Sequence, residues 1–202
     1  MTSVPLLWPS IATPTAEIVG IKDLNAHLTG LKFSIEAWEA GLLLYQTAKQ
    51  PQLTISSSVA RRWRFIGCTE CILELYHLRA RLEKIQSVQL RKCPSLHAAI
   101  DMPKLRSSRK KLDEYFPDIE SLRHATAHRG VNESHPEDHA PDGLYALSGF
   151  READVYSTPY KGCMRRLAIT NQSLELITKV VEEFFSGFET AAAELEKQGH
   201  LE

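Results

Sequence analysis

Residues 21–45, IKDLNAHLTGLKFSIEAWEAGLLLY, carry apolar side chains at Ile21, Leu24, Leu28, Leu31, Ile35, Trp38, Leu42 and Tyr45. The steps alternate three and four, which lays all eight on one stripe of a helix; a strand, with its period of two, would scatter them over both faces. Thr13-Pro14 supplies an N-cap and a proline at the first helical position, and Gln50-Pro51 supplies a stop. The spacing therefore predicts a helix over 15–49, continuous or broken near Gly30. Gly20, Gly30 and Gly41 each weaken it by about 1 kcal/mol relative to alanine, unless they permit close approach of a second helix.

The same reading extends along the chain. A second long helix is expected over 58–92, opened by serines and ended before Pro94, with Val59, Trp63, Ile66, Ile72, Leu75, Leu82 and Ile85 as its core stripe. A short basic helix follows at 103–116. Another spans 117–130, with Pro117-Asp118 at its start and Gly130 at its stop. The stretch 131–143, VNESHPEDHAPDG, is polar and turn-rich. Residues 144–169 hold β-branched and aromatic residues between glycines and prolines, the pattern of two or three short strands. A final helix over 171–198 is marked by Leu174, Ile177, Val181, Phe184, Phe188, Ala191 and Leu195. The fold class expected is all-α: a helical bundle with a small β-hairpin insertion before its last helix. Residues 1–14 read as a flexible N-terminal arm rather than a signal peptide, and 15–200 as a single domain.

At 202 residues, 43% hydrophobic and 24% charged, with net charge −1, the composition is that of a globular protein. No apolar run approaches the length of a membrane span. Four irregularly spaced cysteines do not form a secreted disulfide framework, so a cytoplasmic setting is expected. The near-zero net charge hides an asymmetry. Ser57 to Lys111 contains thirteen Lys/Arg and four Asp/Glu, a balance of +9 that leaves −10 for the rest. Such a segment either contacts phosphates or pairs with acidic helices of its own fold.

Within the fourth expected helix, residues 121–130 read SLRHATAHRG. His128 lies in its last turn, where unpaired carbonyls favour the imidazolium and raise its pKa from about 6.5 toward neutrality, a useful value for a general acid or base. Arg123 and His128, five residues apart, lie on neighbouring sides of the helix and are long enough to converge on a ligand across its end. Arg123, the polar His124, Ala125-Thr126-Ala127 and then His128 resemble the R-x4–6-H motif of HEPN domains, and the helices on either side extend the likeness loosely over 15–198.

That resemblance implies a HEPN-like helical bundle that dimerises around the motif and often cuts RNA as a metal-independent endoribonuclease, with no cofactor. A toxin or defence setting, with an antitoxin protein as partner, belongs to the same implication. RNA carries its own nucleophile, the 2′-hydroxyl. Histidine would move protons, arginine would stabilise the extra charge on the phosphorane, and a two-fold dimer would bring a second His128. His124 would orient groups within the site, and Arg106, Arg109, Lys110 and Lys111 would contact phosphates. One departure is clear. Family members regulated by nucleotide transfer carry tyrosine two residues after the motif histidine, and here that residue is Gly130.

Two other readings use the same residues. His124 and His128 have the i, i+4 spacing of a metal-ligand pair, with Glu133, His135, Asp138 or His139 as a third ligand, although Ala125 stands where a zinc helix carries its glutamate. Alternatively the motif holds together a non-catalytic dimer that binds nucleic acid or protein, Arg123 pairing with a carboxylate such as Glu120. Cys68 and Cys71 form a CxxC inside a helix with no second pair, and read as small buried thiols rather than ligands.

Overall fold

The computed structural model describes residues 3–52, 54–127 and 148–199, with backbone alone at 151 and 152. Among these residues run α1 (Ile18–Thr47), α2 (Ser57–Lys84), α3 (Met102–Tyr115), α4 (Ile119–Ala127), β1 (Gly149–Glu152), β2 (Val155–Tyr160), β3 (Cys163–Ala168), α5 (Asn171–Ser186) and α6 (Glu189–Lys197). The protein is mostly helical, with one three-stranded antiparallel sheet, order β1-β2-β3, ahead of the last two helices. It divides into two compact units: Met1–Ile35, His77–Glu114 and Leu176–Glu202 form one, and Glu36–Tyr76 with Tyr115–Glu175 the other.

In the first unit, Ile21, Leu24, Leu28 and Leu31 of α1 are fully buried, as are Leu82 of α2, Leu105 and Leu112 of α3, and Phe184 and Phe188. Each such side chain contributes about 1.5–3 kcal/mol of burial. The expected arm is tied down in its described part. Leu7 is buried and exchanges two hydrogen bonds with the Asn25 side chain: its N–H donates at 2.9 Å, and its carbonyl accepts at 2.8 Å. The Ser10 hydroxyl donates to Gln198 at 2.7 Å.

The last expected helix is two helices. The Gly187 carbonyl accepts the Asp101 N–H at 2.9 Å, so it is withdrawn from the helical ladder, and the chain restarts with Ala192 N–H on the Phe188 carbonyl. The second long helix is also shorter than its pattern. Regular α geometry stops at Lys84 and gives way to a π-turn, Ile85–Gln89, then a 3-10 turn, Leu90–Lys92. The wider turn brings Gln89 inside, 3.0 Å from His27 Nε2.

In the second unit, α1 and α2 cross where Gly41 faces Gly67. A Cβ on Gly67 would collide with the Gly41 carbonyl oxygen and lie 2.9 Å from Tyr45 N; one on Gly41 would lie 2.8 Å from the Gly67 carbonyl oxygen. Beside this crossing Trp38, Leu42, Tyr45, Cys68, Cys71 and Ile72 are buried. Burial holds the Cys68 and Cys71 thiols far above their usual pKa, as expected of inert packing groups. Val59 and Ile66, expected in the core stripe of α2, are 41% and 49% exposed. Their spacing fits a stripe, yet this part of α2 presents them on an uncovered flank.

The sheet closes with tight turns. Lys161 and Gly162 both have positive φ (49° and 71°), the two-residue hairpin geometry that suits strand twist. Pro159 lies past the last β1–β2 pair, Gly149–Ser157, so its missing N–H costs that ladder nothing. At the other turn Asp154, φ 63°, ties the sheet to α1. Its carboxylate accepts the Tyr45 hydroxyl at 2.9 Å and pairs with Lys49. The Lys49 bond, and then the Tyr45 bond working against burial, hold the Asp154 carboxyl below its usual pKa; burial pushes the Tyr45 phenol up to about 12.

A lowered carboxylate pKa stabilises the fold fully above the unfolded value and loses that contribution as pH falls through the folded value. Asp154→Asn, which tolerates the same φ, should therefore cost about 1 kcal/mol near neutrality. The difference should vanish on acidification below the usual carboxylate range, as read by urea midpoints across pH.

Candidate functional site

The helix α4 is seated on the sheet through Asp118, just ahead of its first turn. The Asp118 carbonyl accepts the Leu122 N–H at 2.8 Å. Its carboxylate takes Arg165 Nη1 at 3.0 Å and the Arg166 N–H at 3.2 Å. Ile119, Leu122 and Ala125, three apart, are buried, which leaves Arg123 and His124 half-buried on the flank of the helix.

Both side chains are held by aromatic rings. Arg123 Cζ lies 5.1 Å from the centre of the Tyr76 ring on α2, a cation–π contact. The His124 imidazole is parallel to the Tyr160 ring of β2, 7° between planes and 6.1 Å between centres. Arg123 Nη1 is 3.4 Å from His124 Nδ1. A guanidinium can only donate, so in this long contact His124 Nδ1 is the acceptor. Among the described residues, the contacts of Arg123 are thus with a ring and an imidazole. Chemically, the pair offers a planar five-donor cation beside an imidazole N–H, the combination that recognises a phosphoryl group.

Tyr76 and Tyr160 escape sequence reasoning. Nothing local connects either to position 123 or 124; the connection exists only once α2, α4 and the sheet come together. His128 lies outside the described residues, as do Gly130, Glu133, His135, Asp138 and His139. The spacing of Arg123 to His128 and the proposed histidine metal pair therefore have no geometry here. Among the described residues, no three His, Cys, Asp or Glu side chains are placed to hold a metal ion.

The expected phosphate contacts on α3 are for the most part engaged. Arg109 lies 3.7 Å from Glu83, Lys110 3.5 Å from Glu114, and Lys111 2.7 Å from Glu183. The shallow groove beside them, about 440 Å³, mixes Arg106, Arg109 and Lys110 with Asp113 and Glu114. So the basic helix α3 pairs extensively with acidic groups of its own fold, one of the two outcomes its charge allowed.

Among the described residues no helix is long and apolar enough to cross a membrane. No family model, curated protein or solved structure matches the chain.

Proposed function

We propose that this protein is a HEPN-like, metal-independent endoribonuclease that acts on single-stranded RNA as a homodimer. The observation that carries the reading is the Arg123–His124 pair on α4, held by Tyr76 and Tyr160 at the start of the motif that ends in His128. An arginine resting on an aromatic ring beside an imidazole suits a reaction in which negative charge grows on phosphorus.

In this reading His128 takes the proton of the 2′-hydroxyl as its oxygen attacks the adjacent phosphorus. Arg123 stabilises the extra phosphorane charge. The 5′-oxygen leaves with a proton from the second copy's His128, giving a 2′,3′-cyclic phosphate. His124 is a positioning residue. The second His128 is what makes dimerisation part of the mechanism, because one chain supplies one copy of that residue.

The test is incubation of the purified protein with mixed RNA in excess EDTA. Cleavage at full rate supports the reading; activity abolished by EDTA and restored by added metal transfers the role to a His124–His128 metal pair. A second reading has its own support. Since Arg123 already has two aromatic-side partners, it also fits a non-catalytic dimeric binding module, which would bind RNA or protein and leave RNA uncut.

A further inference from the structure

Along the flank of α2 runs a shallow groove of about 470 Å³, lined by Arg61, Arg62, Phe65, Ile66, Thr69 and Glu70 together with a serine of the first turn. Arg61 and Arg62 are exposed and, among the described residues, neither sits in an ion pair. The groove's single carboxylate is Glu70. On α3, by contrast, Arg109, Lys110 and Lys111 are each matched to a glutamate.

The groove points along the helix toward the candidate site. Arg62, Thr69 and Tyr76 follow at intervals of seven residues, each step drifting only about 20° around the axis. Tyr76 therefore lies on the same flank, about 21 Å beyond Arg62 at 1.5 Å per residue. Tyr76 is the ring on which Arg123 rests. All these residues belong to one compact unit. Cations stand at both ends of the line, Arg61 and Arg62 at one and Arg123 at the other, with the apolar Phe65 and Ile66 between them.

Resting on the function proposed above, we infer that this flank of α2 is the track that holds the RNA strand. Its phosphates meet Arg61 and Arg62, a base or ribose face lies against Phe65 and Ile66, and the strand leads on to Arg123. Charge complementarity selects a polyanion. The apolar floor, exposed at Ile66 and half-buried at Phe65, selects an unpaired strand, because a duplex keeps its base faces stacked away from the protein. The contacts on the basic segment thus shift from α3, where sequence reasoning put them, to the first turns of α2.

The experiment measures binding of a short fluorescein-labelled single strand with 2′-deoxy sugars, which stays uncut, to the full chain over a range of salt. Each phosphate contact on a single strand contributes about 0.7 to the slope of log affinity against log salt. Arg61→Gln with Arg62→Gln should lower that slope by about 1.4, raise KM for RNA and leave kcat nearly unchanged. Lys22→Gln with Arg91→Gln, an equal charge change on exposed residues of the other unit, should leave the slope as it is.

If the wild type binds and cuts RNA but the Arg61/Arg62 variant keeps the full slope, the track is wrong and the ribonuclease reading stands. A slope lost instead in Arg106→Gln with Lys110→Gln would return the strand to α3. Wild type that neither binds nor cuts RNA overturns both. Poly-glutamate competing as well as RNA of equal charge would make an acidic peptide the occupant and overturn the assignment.

Discussion

Gly67→Ala should destabilise the protein by about 2–3 kcal/mol, the upper part of the range for overpacking a close contact. Two effects oppose each other at this position. Alanine in place of glycine gains about 1 kcal/mol of helix propensity. Against that, the new methyl would collide with the Gly41 carbonyl oxygen and approach Tyr45 N. These are backbone atoms of α1, so no rotamer change relieves the contact and the two helices must part. Parting them also loosens Trp38, Tyr45 and Cys71, which are buried beside the crossing. At this chain length the loss corresponds to a Tm lower by roughly 4–12 °C. Gly30→Ala is the contrast: its Cβ would meet side-chain atoms of Arg81, 3.0 Å away at Nε, and no backbone, so relief needs only a shift of a long side chain that hydrogen-bonds Ser34. That variant should change the urea midpoint little. Equal midpoints for Gly67→Ala and wild type would mean the crossing is not this close.

His128→Ala should slow RNA cleavage by about 10²–10⁴-fold, the usual contribution of one acid–base step. If both proton transfers use this residue, one from each subunit, the loss belongs to the upper part of that range. Arg123→Lys should be damaging as well, because an ammonium replaces neither the planar fork at the phosphorane nor the stacking on Tyr76. Its melting curve should stay near wild type, since the side chain is only half-buried and sits on a flank of α4. Rate constants with saturating RNA, measured beside melting curves, separate a catalytic loss from an unfolding one. A His128→Ala protein that cuts RNA at the wild-type rate removes this residue from the chemistry.

The helical core was readable wherever one stripe met one neighbour. All eight seam positions from Ile21 to Tyr45 are buried, and α3 begins and ends within a residue of its expected limits. The short strands, too, followed from β-branched residues between turn formers. What escaped depends on contacts distant in sequence. The break at Gly187 requires the Asp101 N–H, eighty-odd positions away, to take its carbonyl. The exposed Val59 and Ile66 obey helical spacing, and spacing alone does not say which stripe is covered. At the site, Arg123 and His124 were visible as a motif, whereas the rings of Tyr76 and Tyr160 that hold them come from α2 and the sheet. On α3 the sequence displays the charge of Arg109, Lys110 and Lys111 without displaying the glutamate opposite each.

The most direct measurement of the central claim is the chemistry of the cut end. RNA and a matched strand with one 2′-deoxy sugar at the scissile position are incubated with the protein in EDTA, and the products are analysed by mass spectrometry. The expected products are a 2′,3′-cyclic phosphate and a free 5′-hydroxyl from the RNA, with the deoxy strand bound yet uncut at that position. Cleavage of the deoxy strand as fast as the RNA, or a 5′-phosphate on the product, would contradict that claim.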